Sequence, residues 1–154
     1  MPKNPVIKRR NLPLLMLQAR EAVFSRFRPL LNEAGITEQQ WRVIRALLEQ
    51  GPLEPRQIGE ICCLTSPSLA GILARMDDLG LVRRERLPHD QRRVLVSVSP
   101  AGEALAKRLA PRVEAAYKAF EAAVGAEFAV ALYALLDKLI ATLGTEGPPE
   151  DGEP

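Results

Sequence analysis

The sequence predicts a mainly α-helical fold with a small β-hairpin, a winged helix-turn-helix flanked by long terminal helices. Apolar residues recur at three- and four-residue spacing over most of the 154-residue chain, the pattern of amphipathic helices. Two short segments of strand composition, 82–87 and 94–98, are separated by a polar stretch that contains arginine. Two short helical patterns joined by a tight turn precede them. Helix, turn, helix and hairpin in this order indicate a device for reading DNA.

The distribution of charge supports this interpretation more than the total charge does. The net charge is only +2 at pH 7, which by itself does not argue for a nucleic-acid partner. The middle of the chain, where the helix-turn-helix and the hairpin are predicted, is nevertheless rich in arginine: Arg75, Arg83, Arg84, Arg86, Arg92 and Arg93. Acidic residues instead mark the C-terminal tail.

The N-terminal segment predicts a soluble protein. Residues 1–11 hold two prolines and three consecutive basic residues, so we expect a flexible basic arm that either touches DNA or only solvates the terminus. The apolar run that follows is interrupted by Gln18, Arg20 and Glu21, too early for a signal peptide. No apolar stretch approaches the roughly 20 residues that span a bilayer. We therefore expect a cytoplasmic protein that does not contact membranes.

Two helices are predicted in the first third of the chain. Apolar residues recur over 12–31, which predicts one long amphipathic helix that Pro29 kinks or closes near its end. Thr37, with Gln40 three residues later, has the pattern of a capping box and starts a second helix, 37–50. A Gly-Pro pair then ends this helix.

The helix-turn-helix is predicted next. A short third helix begins at Pro55 and ends at Cys62. Ser66 is the expected N-cap of the fourth helix and Pro67 its first residue, because a helix start leaves unpaired the N–H that proline lacks. Gly80 ends this helix.

The outer face of the fourth helix is the predicted DNA-reading surface. Serine hydroxyls can donate to phosphates or base edges, alanine can meet a thymine methyl, and glycine lets the helix approach closely. The alternative is that this small-residue face packs on another helix. The expected contact residues are Ser66, Ser68, Ala70, Gly71 and Arg75, with Arg56 and Gln57 of the third helix as further phosphate contacts.

The tip of the hairpin supplies the predicted groove-entering charge. Asp90 lies two residues before Arg92, and a carboxylate at that spacing on a turn can hold the guanidinium by a charge-assisted hydrogen bond. An arginine so directed fits the minor groove, where negative potential is focused. Arg93 is expected to contact DNA beside it. The alternative is a solvated surface ion pair, worth about 0–1 kcal/mol.

The terminal helices are predicted to form a homodimer. Ser99-Pro100 starts a long helix that Pro111 kinks, and a last helix ends at Gly144. Together with the first helix they present more apolar surface than one lobe covers, and buried apolar area is worth about 25 cal/mol per Å². The alternative is an intrachain helix packing without a partner. The predicted division is a dimerisation region, 12–34 and 100–144, a DNA-binding lobe, 35–99, and a disordered acidic tail, 145–154.

The sequence does not favour an enzyme, a metal site or a cofactor. The single histidine, His89, lies in the hairpin tip without a cluster of cysteines or carboxylates. Neither a nucleophile elbow nor a Gly-rich phosphate loop occurs. Cys62 and Cys63 are adjacent, so a disulfide between them would be badly strained. We favour structural thiols over redox sensors, because no activating cation is evident in the turn.

These features resemble the MarR family of bacterial transcriptional regulators over about residues 12–144. The Asp-x-Arg motif of the family's wing corresponds to Asp90 and Arg92, and Ser99 with Gly102 is similar to its Ser/Thr-x-x-Gly helix start. Several segments are similar to one branch, the repressors of homoprotocatechuate (4-hydroxyphenylacetate) degradation: LLMLQAREAVFSRFRPLL, ITEQQWRVIR, PSLAGILARM and DQRRV.

The resemblance implies a dimer that binds a pseudo-palindromic operator on double-stranded DNA, represses transcription, and releases the DNA when a phenolic carboxylate binds between the two lobes. Such a ligand needs a cation for its carboxylate and an aromatic or apolar wall for its ring. Arg20 stands out, since it lies within an apolar helix; the alternative for it is an ion pair with Glu21 or with a carboxylate of the dimer partner. The candidates are Arg20, Ser25, Arg26, Trp41 and Arg45.

Two other functions stay open at this point. A winged helix-turn-helix can serve as a protein-interaction module that binds no DNA, although the arginine cluster counts against this. A redox-sensing repressor would instead use Cys62 or Cys63.

Overall fold

A computed structural model describes residues 6–144, and this part of the chain folds into seven helices and one antiparallel hairpin. The mainly α-helical fold with a small hairpin is thereby confirmed. Residues 1–5 of the predicted arm and the whole predicted tail, 145–154, lie outside the described residues. The elements are α1 (Leu12–Phe24), α2 (Arg28–Ala34), α3 (Glu38–Gln50), α4 (Pro55–Cys62), α5 (Ser66–Asp78), β1 (Val82–Leu87), β2 (Asp90–Val98), α6 (Pro100–Val124) and α7 (Ala126–Leu143).

The single helix predicted over residues 12–31 is in fact two helices. The helix α1 ends at Phe24, and a turn leads into α2, where Pro29 lies in the first turn. A proline has no N–H to donate to the carbonyl four residues earlier, and its ring clashes with that carbonyl. For Pro29 that carbonyl belongs to Ser25, so the helix stops before the proline instead of bending at it.

The predicted start of α3 is confirmed, and the predicted start of α5 is wrong by one residue. The N–H of Gln40 donates to Thr37 Oγ1 at 3.1 Å, and the N–H of Thr37 donates to Gln40 Oε1 at 3.0 Å, which is the capping box. Ser66 is the first residue of α5 and not its N-cap; that position is taken by Thr65. The Thr65 hydroxyl contacts the Ser68 hydroxyl at 3.0 Å instead of capping a backbone N–H.

The hairpin has a shorter tip than predicted. Only Pro88 and His89 separate the strands, because β2 begins at Asp90 and not at Val94. Leu87 pairs with Asp90 across the turn, next to an irregularity in the register. Of the polar residues that the sequence assigns to the tip, Asp90 thus pairs with Leu87, whereas residues 91–93 lie in the irregularity between the Leu87–Asp90 and Arg86–Val94 pairs.

The core lies in the lobe formed by α2 to α5, the base of the hairpin and the first half of α6. The largest fully buried side chains come from five of these elements: Leu31, Val43, Ile44, Ile58, Cys62, Met76 and Val96. By contrast, α1 buries none of its residues and α7 buries only Ala129. The helices α1 and α7 therefore contribute little to the core of this chain.

An extensive apolar surface on α1 and α7 remains uncovered, and we call it the apolar terminal face. It consists of Leu12, Leu14, Met16 and Leu17 on α1 and Phe128, Val130, Tyr133, Leu135, Leu136, Ile140 and Leu143 on α7.

No single helix among residues 6–144 is long and apolar enough to cross a membrane. Two bent helix pairs, α4 with α5 and α6 with α7, reach that length and composition only when taken together.

Candidate nucleic-acid interface and ligand cleft

The helices α4 and α5 meet at 109°, and three residues separate them. Cys63 adopts a left-handed conformation with φ +54°, and the N–H of Leu64 donates to the carbonyl of Gly59 at 3.0 Å. A Cβ on Gly59 would lie only 3.0 Å from the Leu64 carbonyl oxygen, so this glycine permits the tight turn. An angle in this range with a turn of this length is the geometry of a helix-turn-helix.

The predicted outer face of α5 is open to solvent. Leu69, Leu73 and Met76 are buried on the opposite side of the helix. Among the described residues, no second helix packs on the small-residue face, which was the alternative drawn from the sequence. The exposed positions include all five predicted contact residues on this helix: Ser66, Ser68, Ala70, Gly71 and Arg75.

Gly71 provides a test of this face. A Cβ added there would meet nothing within 4 Å. We expect Gly71→Ala to raise the free energy of unfolding by about 0.5–1 kcal/mol, because alanine is the better helix former. We expect the same variant to bind DNA more weakly, because the added methyl group would project from the predicted DNA-reading surface. Urea denaturation and fluorescence anisotropy measure the two effects, and wild-type DNA affinity in the stabilised variant would exclude close approach at this position.

Several basic side chains around α5 have no acidic partner in the described part of the chain: Arg75, Arg83 and Arg92. Other arginines are engaged. Arg84 of β1 pairs with Asp77 of α5 at 2.9 Å, which joins the hairpin to α5. Arg56, at the start of α4, makes only a long 3.5 Å pair with Glu60 and stays largely exposed.

The carboxylate of Asp90 acts differently from the prediction. Its Oδ1 accepts the backbone N–H of Arg92 at 3.1 Å instead of holding the guanidinium. The reason is distance along the chain, since a short carboxylate side chain reaches the N–H two residues on and closes an Asx turn. Asp90 therefore sets the backbone at the tip of the hairpin and leaves the Arg92 guanidinium exposed.

Arg93 faces the lobe and binds an acidic residue there. Its Nε and Nη2 donate to the two carboxylate oxygens of Glu54 at 2.7 and 3.0 Å, and these hydrogen bonds lower the pKa of Glu54. Leu53 and Val96 exchange backbone hydrogen bonds of 3.0 and 2.8 Å beside this pair. Arg93 thus anchors the hairpin to the segment before α4, and its predicted contact with DNA stays a prediction.

A cleft of about 860 Å³ lies between α1, α3 and the C-terminal helices. Three of the five predicted ligand-binding candidates line it, namely Arg20, Trp41 and Arg45. Ser25 does not line the cleft, and its hydroxyl donates to the Ala22 carbonyl at 2.8 Å. Arg26 is exposed and also lies outside the lining. The apolar wall includes Met16, Val23, Phe24, Phe27, Ala46, Val113, Tyr117, Leu132 and Leu136.

The charges that line the cleft sum to a single excess positive charge. Three arginines face two glutamates: Arg20, Arg42 and Arg45 against Glu38 and Glu49. An excess of guanidinium in an apolar cleft favours an anionic ligand with an apolar body.

The arginines of the cleft are held in defined pairs. Arg20 pairs with Glu38 across the α1–α3 boundary, and not with Glu21. Arg45 donates through Nε and Nη2 to Glu49 Oε1 at 2.9 and 2.6 Å. Burial lowers the pKa of Arg45, but Glu49 and the Tyr117 hydroxyl raise it by more, so the net shift is upward. The guanidinium therefore remains charged in the cleft.

Sequence reasoning missed the aromatic wall on α6. Tyr117 packs edge-on against Phe27 of the α1–α2 turn, with ring centroids 4.8 Å apart. The only signal in the sequence was an aromatic residue on the apolar stripe of a long helix, which is ordinary for a core position.

The two cysteines differ in their surroundings. Cys62 is buried at the edge of the cleft, where burial raises the pKa of its thiol. A buried thiol with a raised pKa is a weaker nucleophile, which favours the structural role over the redox role for Cys62. Cys63 is exposed in the turn of the helix-turn-helix.

Comparison with known proteins gives consistent results. A model of the MarR family matches residues 34–93. The transcriptional regulator FarR of Neisseria gonorrhoeae is 41% identical over 132 residues, covering 86% of this chain and 90% of that protein. The homoprotocatechuate degradative operon repressor of Escherichia coli is 40% identical, covering 85% and 88%. The solved structure of NadR in complex with 4-hydroxyphenylacetate is 40% identical with a TM-score of 0.75, covering 90% and 97%.

Proposed function

The chain belongs to the MarR family of transcriptional regulators, and we propose on this premise that it is a homodimeric repressor released from its operator by a small aromatic acid. Its relatives are regulators of transcription and not enzymes, which confirms the prediction that the chain has no catalytic role. The observation that carries the proposal is the pairing of an open helix-turn-helix surface with a cationic, aromatic cleft in one small chain.

DNA binding is proposed for the outer face of α5 together with the hairpin. Ser66, Ser68, Ala70 and Gly71 offer a small, polar face that fits the major groove. The guanidiniums with no acidic partner, Arg75 and Arg92, lie on the helix and on the hairpin, where they would neutralise phosphate or enter the minor groove. Arg56 adds a phosphate contact from the start of α4.

Dimerisation is proposed through the apolar terminal face. A second copy of the chain is the natural cover for this surface, because a two-fold axis brings the same face to itself. The axis also sets two copies of α5 at a fixed spacing. A pseudo-palindromic operator, with one half-site for each copy, follows from that symmetry.

The cleft is proposed to bind the effector as a phenolic carboxylate. Arg20 and Arg45 supply the cations, and Trp41 with Tyr117 supplies the wall for the aromatic ring. NadR, of similar fold and sequence, was solved with 4-hydroxyphenylacetate, a molecule of this class. Control of homoprotocatechuate or 4-hydroxyphenylacetate catabolism is therefore the proposed physiological role.

We expect the wild-type protein to have the mass of two chains in solution and to select a pseudo-palindromic duplex from a random DNA library. Addition of 4-hydroxyphenylacetate should weaken the complex by about 5–150-fold, the usual range of allosteric coupling.

Arg45→Ala should weaken binding of 4-hydroxyphenylacetate by about 10–100-fold, because charge-assisted hydrogen bonds are lost. Calorimetry and anisotropy measure these quantities.

Arg26→Ala is the matched control, since it removes an exposed arginine close to the same cleft but outside its lining. It should bind the ligand as the wild type does. Failure to select any duplex would contradict the DNA-binding proposal and favour a protein-interaction module. DNA binding that is insensitive to 4-hydroxyphenylacetate would contradict the proposed effector alone.

A further inference from the structure

We propose that Glu38 couples the ligand cleft to the helix-turn-helix by holding two arginines, one from the cleft wall and one that binds the turn before α5. We call Arg20, Glu38 and Arg42 the Glu38 network. This inference rests on the proposed function, since it names how occupancy of the cleft reaches the DNA-binding surface. Arg20 lies on α1, Glu38 and Arg42 lie on α3, and Arg42 contacts Cys62 of α4.

Glu38 is the centre of the network. It is the first residue of α3, and its side chain is only 19% exposed. Its carboxylate accepts from Arg42 Nε at 3.2 Å and from Arg42 Nη2 at 2.7 Å. The same carboxylate pairs with Arg20 of α1. One largely buried carboxylate thus fixes the positions of two guanidiniums.

Arg42 carries the contact onward to the turn. Its Nη1 donates to the carbonyl of Cys62 at 2.6 Å, and Cys62 is the last residue of α4. The Cys62 thiol lies 3.6 Å from the Arg42 carbonyl, which gives a second, weaker link between the same two residues. The next residue, Cys63, adopts the left-handed conformation that redirects the chain into α5. The direction of the recognition helix is therefore set next to the Arg42 contact.

A ligand in the cleft acts on the other end. Arg20 is half exposed at 49% and lies over the Phe24 ring, 5.7 Å from its centroid. A ligand carboxylate would be drawn to the same guanidiniums that Glu38 holds, because like acceptors compete for one donor. Any shift of Arg20 away from Glu38 changes how Glu38 is shared with Arg42. The hydrogen bond from Arg42 to the Cys62 carbonyl changes with it. The ligand therefore has a different affinity for the two arrangements of the turn, and it favours one of them.

The other acidic residue of the cleft makes no such connection. Glu49 pairs with Arg45 on the same helix, and neither residue has a hydrogen bond to α4 or α5 in the described part of the chain. Glu21 pairs with Arg28, whose guanidinium lies over the same Phe24 ring as Arg20. The Glu21 pair thus joins α1 to α2 and not to the turn, which makes it a matched comparison for Glu38.

The test is Glu38→Gln, which keeps the size of the side chain and removes its charge. The probe is 4-hydroxyphenylacetate, and the DNA is the duplex selected by the wild-type protein. Calorimetry should show ligand affinity equal to or higher than that of the wild type, because a competitor for Arg20 is gone. The ratio of operator Kd values with and without ligand should fall from about 5–150 to below about 3. Glu21→Gln should keep the wild-type ratio.

Arg42→Lys is a second variant that retains the positive charge. Lysine lacks the planar fork with which Arg42 reaches both Glu38 and the Cys62 carbonyl, so we expect the same loss of coupling. A merely structural role would weaken operator binding with and without the ligand by the same factor and leave the ratio unchanged. That result would overturn the proposal while the proposed function stands.

Hydrogen exchange measures the effect of Glu38 on the turn without any ligand. It therefore applies even if the wild type does not respond to 4-hydroxyphenylacetate, the outcome that would contradict the proposed effector. Amides in residues 62–66 of the free protein should exchange faster in Glu38→Gln than in the wild type or in Glu21→Gln. Equal exchange in all three proteins would show that Glu38 does not hold the turn, and would overturn the inference independently of the ligand.

Discussion

Replacement of Gly102 by alanine should lower the free energy of unfolding by about 1–3 kcal/mol or more, the usual cost of overpacking a filled site. A Cβ at this position would lie 2.3 Å from the carbonyl oxygen of Leu81 and 2.8 Å from Val98 Cγ1. One of the two obstructing atoms is backbone, so no rotation of a side chain relieves the clash. The protein would lose a sizeable part of the roughly 5–15 kcal/mol that stabilises a typical domain.

The neighbouring hydrogen bonds explain why the backbone cannot yield. The Leu81 carbonyl accepts the N–H of Ser99 at 3.0 Å, and the Ser99 hydroxyl donates to the Gly80 carbonyl. The same hydroxyl oxygen accepts the N–H of Gly102 at 3.1 Å, which caps α6. Moving the start of α6 away from Leu81 would break this set of bonds at the base of the hairpin.

Urea denaturation followed by circular dichroism measures the effect, with Gly71→Ala as the matched control. Both glycines are in helices, and alanine has the better helix propensity at both by about 1 kcal/mol. Only Gly102 lacks room for a methyl group, so the two variants should shift the midpoint in opposite directions. A Gly102→Ala variant as stable as the wild type would mean that α6 does not rest on Leu81 in solution.

Arg92→Ala should weaken operator binding by about 5–150-fold for each hairpin that contacts DNA, which corresponds to the loss of about 1–3 kcal/mol expected for an arginine that contacts bases. The guanidinium is exposed and has no acidic partner in the described part of the chain, so its removal should leave the free energy of unfolding unchanged. Asp90 still accepts the Arg92 N–H in the variant, because that bond involves the backbone. The loss therefore reports on the side chain alone.

Fluorescence anisotropy at several salt concentrations shows how much of this loss comes from a contact with phosphate, which depends on salt, and how much from a contact with bases. Each phosphate contact removed lowers the slope of log K against log salt by about one, so a dimer should lose about two. Arg112→Ala removes the same charge from α6, where Arg112 pairs with Glu33, and should leave affinity and slope close to the wild type. Wild-type affinity in Arg92→Ala would exclude the hairpin from the DNA contact.

The ends of the helices differ in how well the sequence could predict them. The capping box of Thr37 and Gln40 was predicted because both partners lie within one turn of helix. The same holds for the cap of α6 at Ser99. The break before Pro29 was marked by a strong local signal, but its position was misjudged because the clash acts on the carbonyl four residues earlier.

The sequence alone is enough to predict the mainly α-helical fold, the order of the elements from α3 onward, the resemblance to the MarR family and the exposed face of α5. Each of these depends on the period of apolar residues or on hydrogen bonds between near neighbours. The folded chain was needed to see that Arg93 binds Glu54, 39 residues away, and that Arg20 and Arg42 share Glu38. A long arginine side chain has several acidic residues within reach of its segment, and the packing of whole helices selects which of them it meets.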